Sequence, residues 1–346
     1  MANKQGQDAF AAFKAAMKAK KPARFYIFCG EEAYLRNYWL TQLKRLLVEP
    51  WAEEFNFHRF TSETISPKAL SDCVESLPMM GEHTLVQVED VDLFKADAGA
   101  RADYAEILSD LPEHCTLVLV YDSIAYQPDR RQRSLTQALD RAERIEFTAP
   151  SERELCGWIA RHFKSHGKSI RSDTCYELIR MTGGGMTVLA GEIEKIAAYA
   201  EHEEITRQDV EAVVEPIPEA VIFDLTDAVA AGKYETALVR LETLLQKQEE
   251  PIALLGLLST QLRRLLVARL LLRAGKGTAE LMSLCGMPSY PANKTIEFAR
   301  RVSDRFCERA VVLCLETDEK MKSSYDTQER LLELLLLRLA QEARNA

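Results

Sequence analysis

Short apolar runs and helical-period segments alternate along the first 149 residues, and then the runs stop. Phe25–Cys29 reads as a buried strand. Gly30 breaks it, and from 32 to 48 the apolar positions Tyr34, Leu35, Tyr38, Trp39, Leu43 and Leu46 recur at helical spacing. A short helix over 8–20 precedes this unit, with Pro22 between them. Residues 55–60 (FNFHRF) alternate like a strand, and Ser66-Pro67 opens a helix through Leu77, since proline suits a first helical turn. Thr84–Val88 and Thr116–Tyr121 are further apolar strands, with a helix over 101–111 between them. A helix over 130–141 and a strand over 144–147 close the series. Strands alternating with helices predict a parallel α/β sheet.

Beyond Pro150 the pattern predicts helices alone. Ser151-Glu152-Arg153-Glu154 fits a capping box opening a helix to His166. Helices over 172–182 and 186–200 follow, broken by Gly183-Gly184-Gly185, and Thr206–Asp209 caps one more. Pro216 and Pro218 mark a second boundary, after which helices are expected over 221–231, 233–248, 251–273, 277–285, 291–301, 303–321 and 327–343. Within the last of these, residues 331–339 (LLELLLLRL) are apolar on nearly every face. Such a helix requires burial on several sides, by its own domain or by neighbouring chains. Three domains are therefore expected: an α/β domain over 1–149, a small helical domain over 150–215 and a larger one over 216–346.

Composition fits an ordinary folded protein, 47% hydrophobic and 28% charged. The net charge of -9 argues against generic polyanion binding, so nucleic-acid contact requires a local basic face or a larger assembly. Eight scattered cysteines without a C-x-x-C pair read as free core thiols of a reducing compartment. The amino terminus lacks the apolar stretch of a signal peptide. The greasiest segment, Ile252–Leu272, is interrupted by Gln261, Arg263, Arg264 and Arg269, which predicts a packed helix and no membrane span. A cytoplasmic location is expected.

The segment from Phe25 to Asn37 is built like a nucleotide-binding loop without its chemistry. A phosphate loop needs G-x-x-x-x-G-K-[ST], whose glycine amides wrap phosphates while Lys and hydroxyl meet the γ-phosphate and Mg²⁺. Here Gly30 is followed by Glu31 and Glu32, and Leu35, Arg36 and Asn37 replace the second glycine, the lysine and the hydroxyl. A carboxylate about 6 Å from a phosphate charge opposes binding by roughly 3 kcal/mol at an effective dielectric near 20. No ATP binding is expected. Leu85–Asp90 resembles a strand whose terminal acids hold Mg²⁺ in ATPases, and Leu117–Asp122 occupies a sensor strand's place. Without a triphosphate site, neither has a role in hydrolysis. His162 and His166 share a helix face but lack a third ligand. No catalytic group, metal or cofactor is expected.

Two loops stand apart. In Ser76–Glu82 a helix ends, Pro78 and Gly81 set a turn, and Met79 and Met80 occupy its tip. Either they tuck into the α/β core or they form an apolar wedge for a partner's pocket, a use that suits flexible methionine. Two such side chains contribute roughly 3–6 kcal/mol on burial, whereas nanomolar affinity requires about 12 kcal/mol, so a wedge needs a wider surface. The second loop, Lys320–Asp326, carries Lys322 and Tyr325, a cation and an aromatic suited to a nucleic-acid backbone and base. Arg263, Arg264, Arg269, Arg273 and Lys276, with Arg300, Arg301 and Arg305, are expected on solvated or subunit-facing helix borders.

In order and spacing these parts resemble the delta-subunit family of the bacterial DNA polymerase III clamp loader. The segments that carry the resemblance are 25–35, 76–88, 182–196, Pro251–Arg263, Tyr290–Arg301 and Asp318–Asp326. The fold implied is α/β plus all-α: a degenerate AAA+ module (α/β domain and helical lid) followed by a helical collar. The implied function is to bind the sliding clamp and open its ring for loading onto primed DNA, with ATP hydrolysed by neighbouring subunits. The resemblance places the clamp-binding element at Leu77, Pro78, Met79 and Met80, where the family often shows Leu-Phe, and DNA contact near Lys322 and Tyr325. It implies gamma/tau and delta-prime subunits as partners of the collar, and the lid turn Gly183–Thr187 lacks the arginine of an active ATPase lid. Two alternatives stay open: an active AAA+ ATPase with an unorthodox loop, and a helical scaffold unrelated to replication.

Overall fold

A computed structural model of the chain describes residues 2–344, which form two compact units divided between Ala149 and Pro150. In the first, helices α1 (Ala2–Lys18), α2 (Ala33–Leu47), α3 (Glu53–Asn56), α4 (Pro67–Glu75), α5 (Ala98–Ser109) and α6 (Arg133–Leu139) surround five strands. These are β1 (Phe25–Cys29), β2 (Phe57–Phe60), β3 (Thr84–Glu89), β4 (Cys115–Val120) and β5 (Glu143–Glu146), paired in parallel in the order β2-β3-β4-β1-β5.

The continuous apolar runs reflect burial on both faces, as parallel sheets require. Phe25, Ile27 and Cys29 of β1 pack with Leu70 and Val74 of α4, Tyr104 and Leu108 of α5, and Leu135 and Leu139 of α6. Tyr26 and Phe28 point the other way, onto Phe13 of α1 and Leu40, Leu43 and Leu47 of α2. Phe13 is wholly buried, and its ring lies 5.3–5.4 Å from those of Tyr26, Phe28 and Trp39 in edge-on contacts. This fixes the first helix to the sheet. From β1 the chain crosses toward β2, and from β4 it passes back over β1 to β5. The carboxyl end of β1 is therefore the switch point where α/β folds hold ligands.

The expected strand over 55–60 begins two residues late. Phe55 and Asn56 end the short helix α3, entered from a tight turn at Pro50–Ala52. The side chains of Ser66, Asp97 and Ser303 cap the helices that follow them.

The second unit contains α7 (Glu152–Ser165), α8 (Ser172–Thr182), α9 (Met186–Tyr199), α10 (Arg207–Val213), α11 (Pro218–Ala230), α12 (Tyr234–Gln246), α13 (Pro251–Arg273), α14 (Thr278–Cys285), α15 (Ser289–Ala299), α16 (Asp304–Ser323) and α17 (Gln328–Arg344). The predicted capping box at Ser151–Glu154 forms, and the predicted cap at Thr206–Asp209 forms as a capping box too. Strands do not stop at Pro150, contrary to expectation: β6 (Ser169–Ile170) and β7 (Glu204–Ile205) pair in parallel. Two residues each are too few to show a period. Gly183, in a left-handed conformation with φ +77°, ends α8 and turns the chain toward α9.

Although α13 is long and apolar enough to cross a membrane, its Leu254, Leu258, Leu262 and Leu265 lie in the core shared with α11, α16 and α17. In α17, Leu331, Leu332, Leu335, Leu336 and Leu339 are buried, while Leu334 and Leu337 remain 42% and 47% exposed. Across the Pro216–Pro218 turn, polar groups join the early helices of this unit to the later ones. The Glu152 carboxylate accepts from the Ser289 N–H (2.8 Å) and hydroxyl (2.6 Å), capping α15 from α7. Glu177, almost fully buried, accepts from Arg180, Arg207 and the Tyr290 hydroxyl, and Arg180 also reaches Asp224 and the Ala220 carbonyl. Burial raises the Glu177 pKa, but the three donors outweigh it and hold the carboxyl below its ordinary value.

Candidate functional site: a filled strand-end crevice and an exposed apolar loop

At the switch point the nucleotide-loop residues bond to the protein itself. Gly30 has φ +112° and lies against the backbone of Phe147, whose N–H donates to the Cys29 carbonyl at 2.7 Å. The Glu32 N–H returns a bond to the Phe147 carbonyl at 3.0 Å, so the turn is sewn to the end of β5. Glu32 also caps α2, its carboxylate accepting from the Tyr34 N–H at 3.1 Å. A carboxylate thus occupies the helix N-terminus where phosphate would otherwise bind.

Arg36, at the motif's lysine position, is 1% exposed. Its guanidinium donates to the Gly30 carbonyl at 2.7 Å and pairs with Asp122. Burial lowers its pKa, and the fields of Asp90 and Glu32 oppose that shift. It remains a cation, held inside the crevice and facing no solvent. Asp90, the Mg²⁺-type acid of the sequence pattern, accepts from the N–H groups of Asp122 (2.8 Å), Ser123 (2.9 Å) and Ile124 (3.4 Å), shaping the loop after β4. Its neighbour Glu89 accepts from Arg59 and Gln87. The remaining hollow, about 340 Å³, is bordered by Tyr121, Tyr126, Arg144 and Glu146. The Cys29 thiol beside it is raised by burial, against a smaller lowering by Arg144, so it is no activated nucleophile.

At the opposite end of the strands, where β3 begins, lies the Ser76–His83 loop. A six-residue parallel strand separates it from the crevice by about 20 Å. Leu77, Met79 and Met80 are 75%, 56% and 74% exposed, and Pro78 is half-buried beneath them. Three large apolar groups within four residues stand in water. The buried side chain of Asn56 grips the loop from behind: its Nδ2 donates to the Met79 carbonyl and its Oδ1 accepts from the Met79 N–H, both at 2.8 Å. Trp51 and Phe55, in the segment leading to Asn56, are 67% and 50% exposed. The sequence reading singled out none of Asn56, Trp51 and Phe55.

In the second unit Tyr325 is fully exposed, while the Lys322 ammonium pairs with Asp318 at 2.6 Å. The His162 and His166 rings stack at 5.8 Å. Burial, then the neighbouring His166, lowers the His162 pKa. Among the described residues no group of three potential metal ligands gathers.

A five-stranded parallel sheet with an internal Arg36–Asp122 ion pair at the end of β1, followed among the described residues by helices alone apart from a two-residue strand pair, defines an α/β module with a helical carboxyl-terminal region. Two family models match, "DNA polymerase III, delta subunit" over residues 26–148 and "DNA polymerase III delta subunit, C-terminal domain" over residues 219–339. The chain is 25% identical over 324 residues to DNA polymerase III subunit delta of Bacillus subtilis, covering 91% of this chain and 92% of that one. It is 22% identical over 328 residues to the probable DNA polymerase III subunit delta of Aquifex aeolicus, with 92% of each covered. The solved Bacillus subtilis DNA clamp loader delta protein has the same fold, with a TM-score of 0.56 at 23% identity, covering 96% of this chain and 99% of that one. The chain belongs to the delta-subunit family of bacterial DNA polymerase III, whose setting is DNA replication.

Proposed function

We propose that this chain binds the sliding clamp through Leu77, Pro78, Met79 and Met80 and opens the ring for loading onto primed DNA, without hydrolysing ATP itself. The observation that carries this reading is the exposed apolar loop, whose Leu77, Met79 and Met80 side chains are left largely in water. A clamp pocket that accepts two or three such side chains provides the burial the loop lacks, and half-exposed Phe55 beside Asn56 extends the apolar surface available to it. The filled crevice supports the second half of the proposal: Arg36 is consumed by Gly30 and Asp122, and Asp90 by backbone amides. Neither is free for a triphosphate or its Mg²⁺.

In this reading the chain has three parts, an α/β domain over 1–149, a lid over 150–215 and a collar over 216–346. The collar meets the gamma/tau and delta-prime subunits, and exposed Leu315, Leu334 and Leu337 supply apolar surface for that contact. The assembly works in the cytoplasm. Equilibrium titration of the full chain with a bacterial sliding clamp ring, and separately with a labelled ATP analogue, tests the proposal. Ring binding is expected, with nucleotide binding weaker than about 100 μM, or roughly 5.5 kcal/mol. Tighter nucleotide binding or indifference to the ring overturns it.

The reading also assigns DNA contact to Lys322 and Tyr325 in the assembled loader. A fully exposed tyrosine has no packing to lose, so Tyr325→Ala leaves the melting temperature unchanged. Stacking on a base is worth about 1–3 kcal/mol, so primed-DNA binding by the loader should weaken about tenfold. Unchanged DNA binding removes this assignment.

A further inference from the structure

Met80 sits in a left-handed conformation, φ +57°, which a side chain such as methionine rarely adopts without support. The next residue, Gly81, runs so close to Asn56 that an added Cβ would meet Nδ2 at 2.9 Å. The Asn56 side chain itself is almost wholly buried, with both its polar atoms bonded to the Met79 backbone. Its amide orientation is set by those bonds, since a flip would place oxygen against the carbonyl and N–H against N–H. An unusual backbone conformation, a close glycine approach and a doubly bonded buried amide meet at one point. None of them contributes to the sheet core.

We propose that Asn56 is the positioning residue of the Leu77–Met80 loop, a latch that holds the exposed apolar side chains in the form that enters the clamp. This rests on the functional reading above. The latch acts like an added backbone strand: it satisfies the Met79 N–H and carbonyl so that the loop needs no pairing of its own, and it holds Met80 turned over. Without it the loop samples other conformations. The apparent affinity for a rigid pocket then falls by the fraction of time the competent form is populated. Preorganisation accounts for the effect, since Asn56 is buried and has little surface with which to touch a partner.

The test uses the full chain and a bacterial sliding clamp ring, with Asn56→Ala and Gly81→Ala as independent ways to release the latch. Each variant is expected to bind the ring about tenfold more weakly, and hydrogen exchange at the Met79 amide should accelerate to a similar degree. In a chain already carrying Met79→Ser and Met80→Ser, Asn56→Ala should cause no further loss, because a latch matters only through what it presents. Wild-type affinity in both variants overturns the proposal. So does an equal loss in the serine background accompanied by a lower melting temperature, which marks a general folding role. Should the wild-type chain ignore the ring, the functional reading falls, and the exchange rate of the Met79 amide alone decides whether Asn56 holds the loop.

Discussion

Replacing Met79 and Met80 together by serine is expected to weaken binding to the sliding clamp by at least about a hundredfold while leaving the fold intact. Each methionine gains roughly 1.5–3 kcal/mol when its exposed surface is buried, and about 1.4 kcal/mol corresponds to a factor of ten. Because both side chains already stand in water, their removal opens no cavity. Surface changes of this kind stay within about 0.5 kcal/mol of wild-type stability. Val239→Ser, at a position 61% exposed in the second unit, is the control and should bind the ring normally. Calorimetric titration together with thermal melting separates the outcomes. Equal affinity for the ring in the double variant would dismiss the wedge, whatever the melting temperature.

Elements with strong local patterns were legible from sequence. β1 and β4 are runs of buried apolar residues, and each was predicted within one residue of its observed bounds. The caps at Ser151 and Thr206 are local hydrogen bonds, so they too could be read from spacing. Residues 55–60 misled because Phe55 and Phe57 alternate around Asn56 as in a strand, while Asn56 bonds to the loop and ends a helix turn. β6 and β7 arise from contacts between segments more than thirty residues apart and have no pattern of their own. The same limit applied to the sites. Replacement of the motif's lysine by Arg36 was visible, but its pairing with Asp122 joins residues 86 apart and depends on the parallel order of β1 and β4. The methionines at 79 and 80 attracted notice as residue types. Their exposure, and the asparagine behind them, required the fold.

Gly30→Ala should lower the stability of the first unit by about 3–5 kcal/mol, and nucleotide binding should show no corresponding change. In a phosphate loop, glycine is retained so that backbone amides can approach the anion. Here an added Cβ would meet the Phe147 carbonyl oxygen at 2.3 Å, its nitrogen at 2.6 Å and its carbonyl carbon at 2.8 Å, all backbone atoms. Relief would require breaking the Phe147-to-Cys29 and Glu32-to-Phe147 hydrogen bonds, each worth about 1 kcal/mol net. The φ of +112° adds strain of about 1–3 kcal/mol for any residue with a side chain. For a unit of this size the loss corresponds to a fall of roughly 10 °C or more in melting temperature. A melt indistinguishable from wild type would show that the turn is free to move, as a ligand-binding loop is, and would reopen the crevice to nucleotide. A destabilised chain that never bound ATP would instead make Gly30 part of the seam between β1 and β5. The glycine persists in a nucleotide-loop pattern for a reason that involves no nucleotide: the chain leaves β1 too close to Phe147 for any other residue.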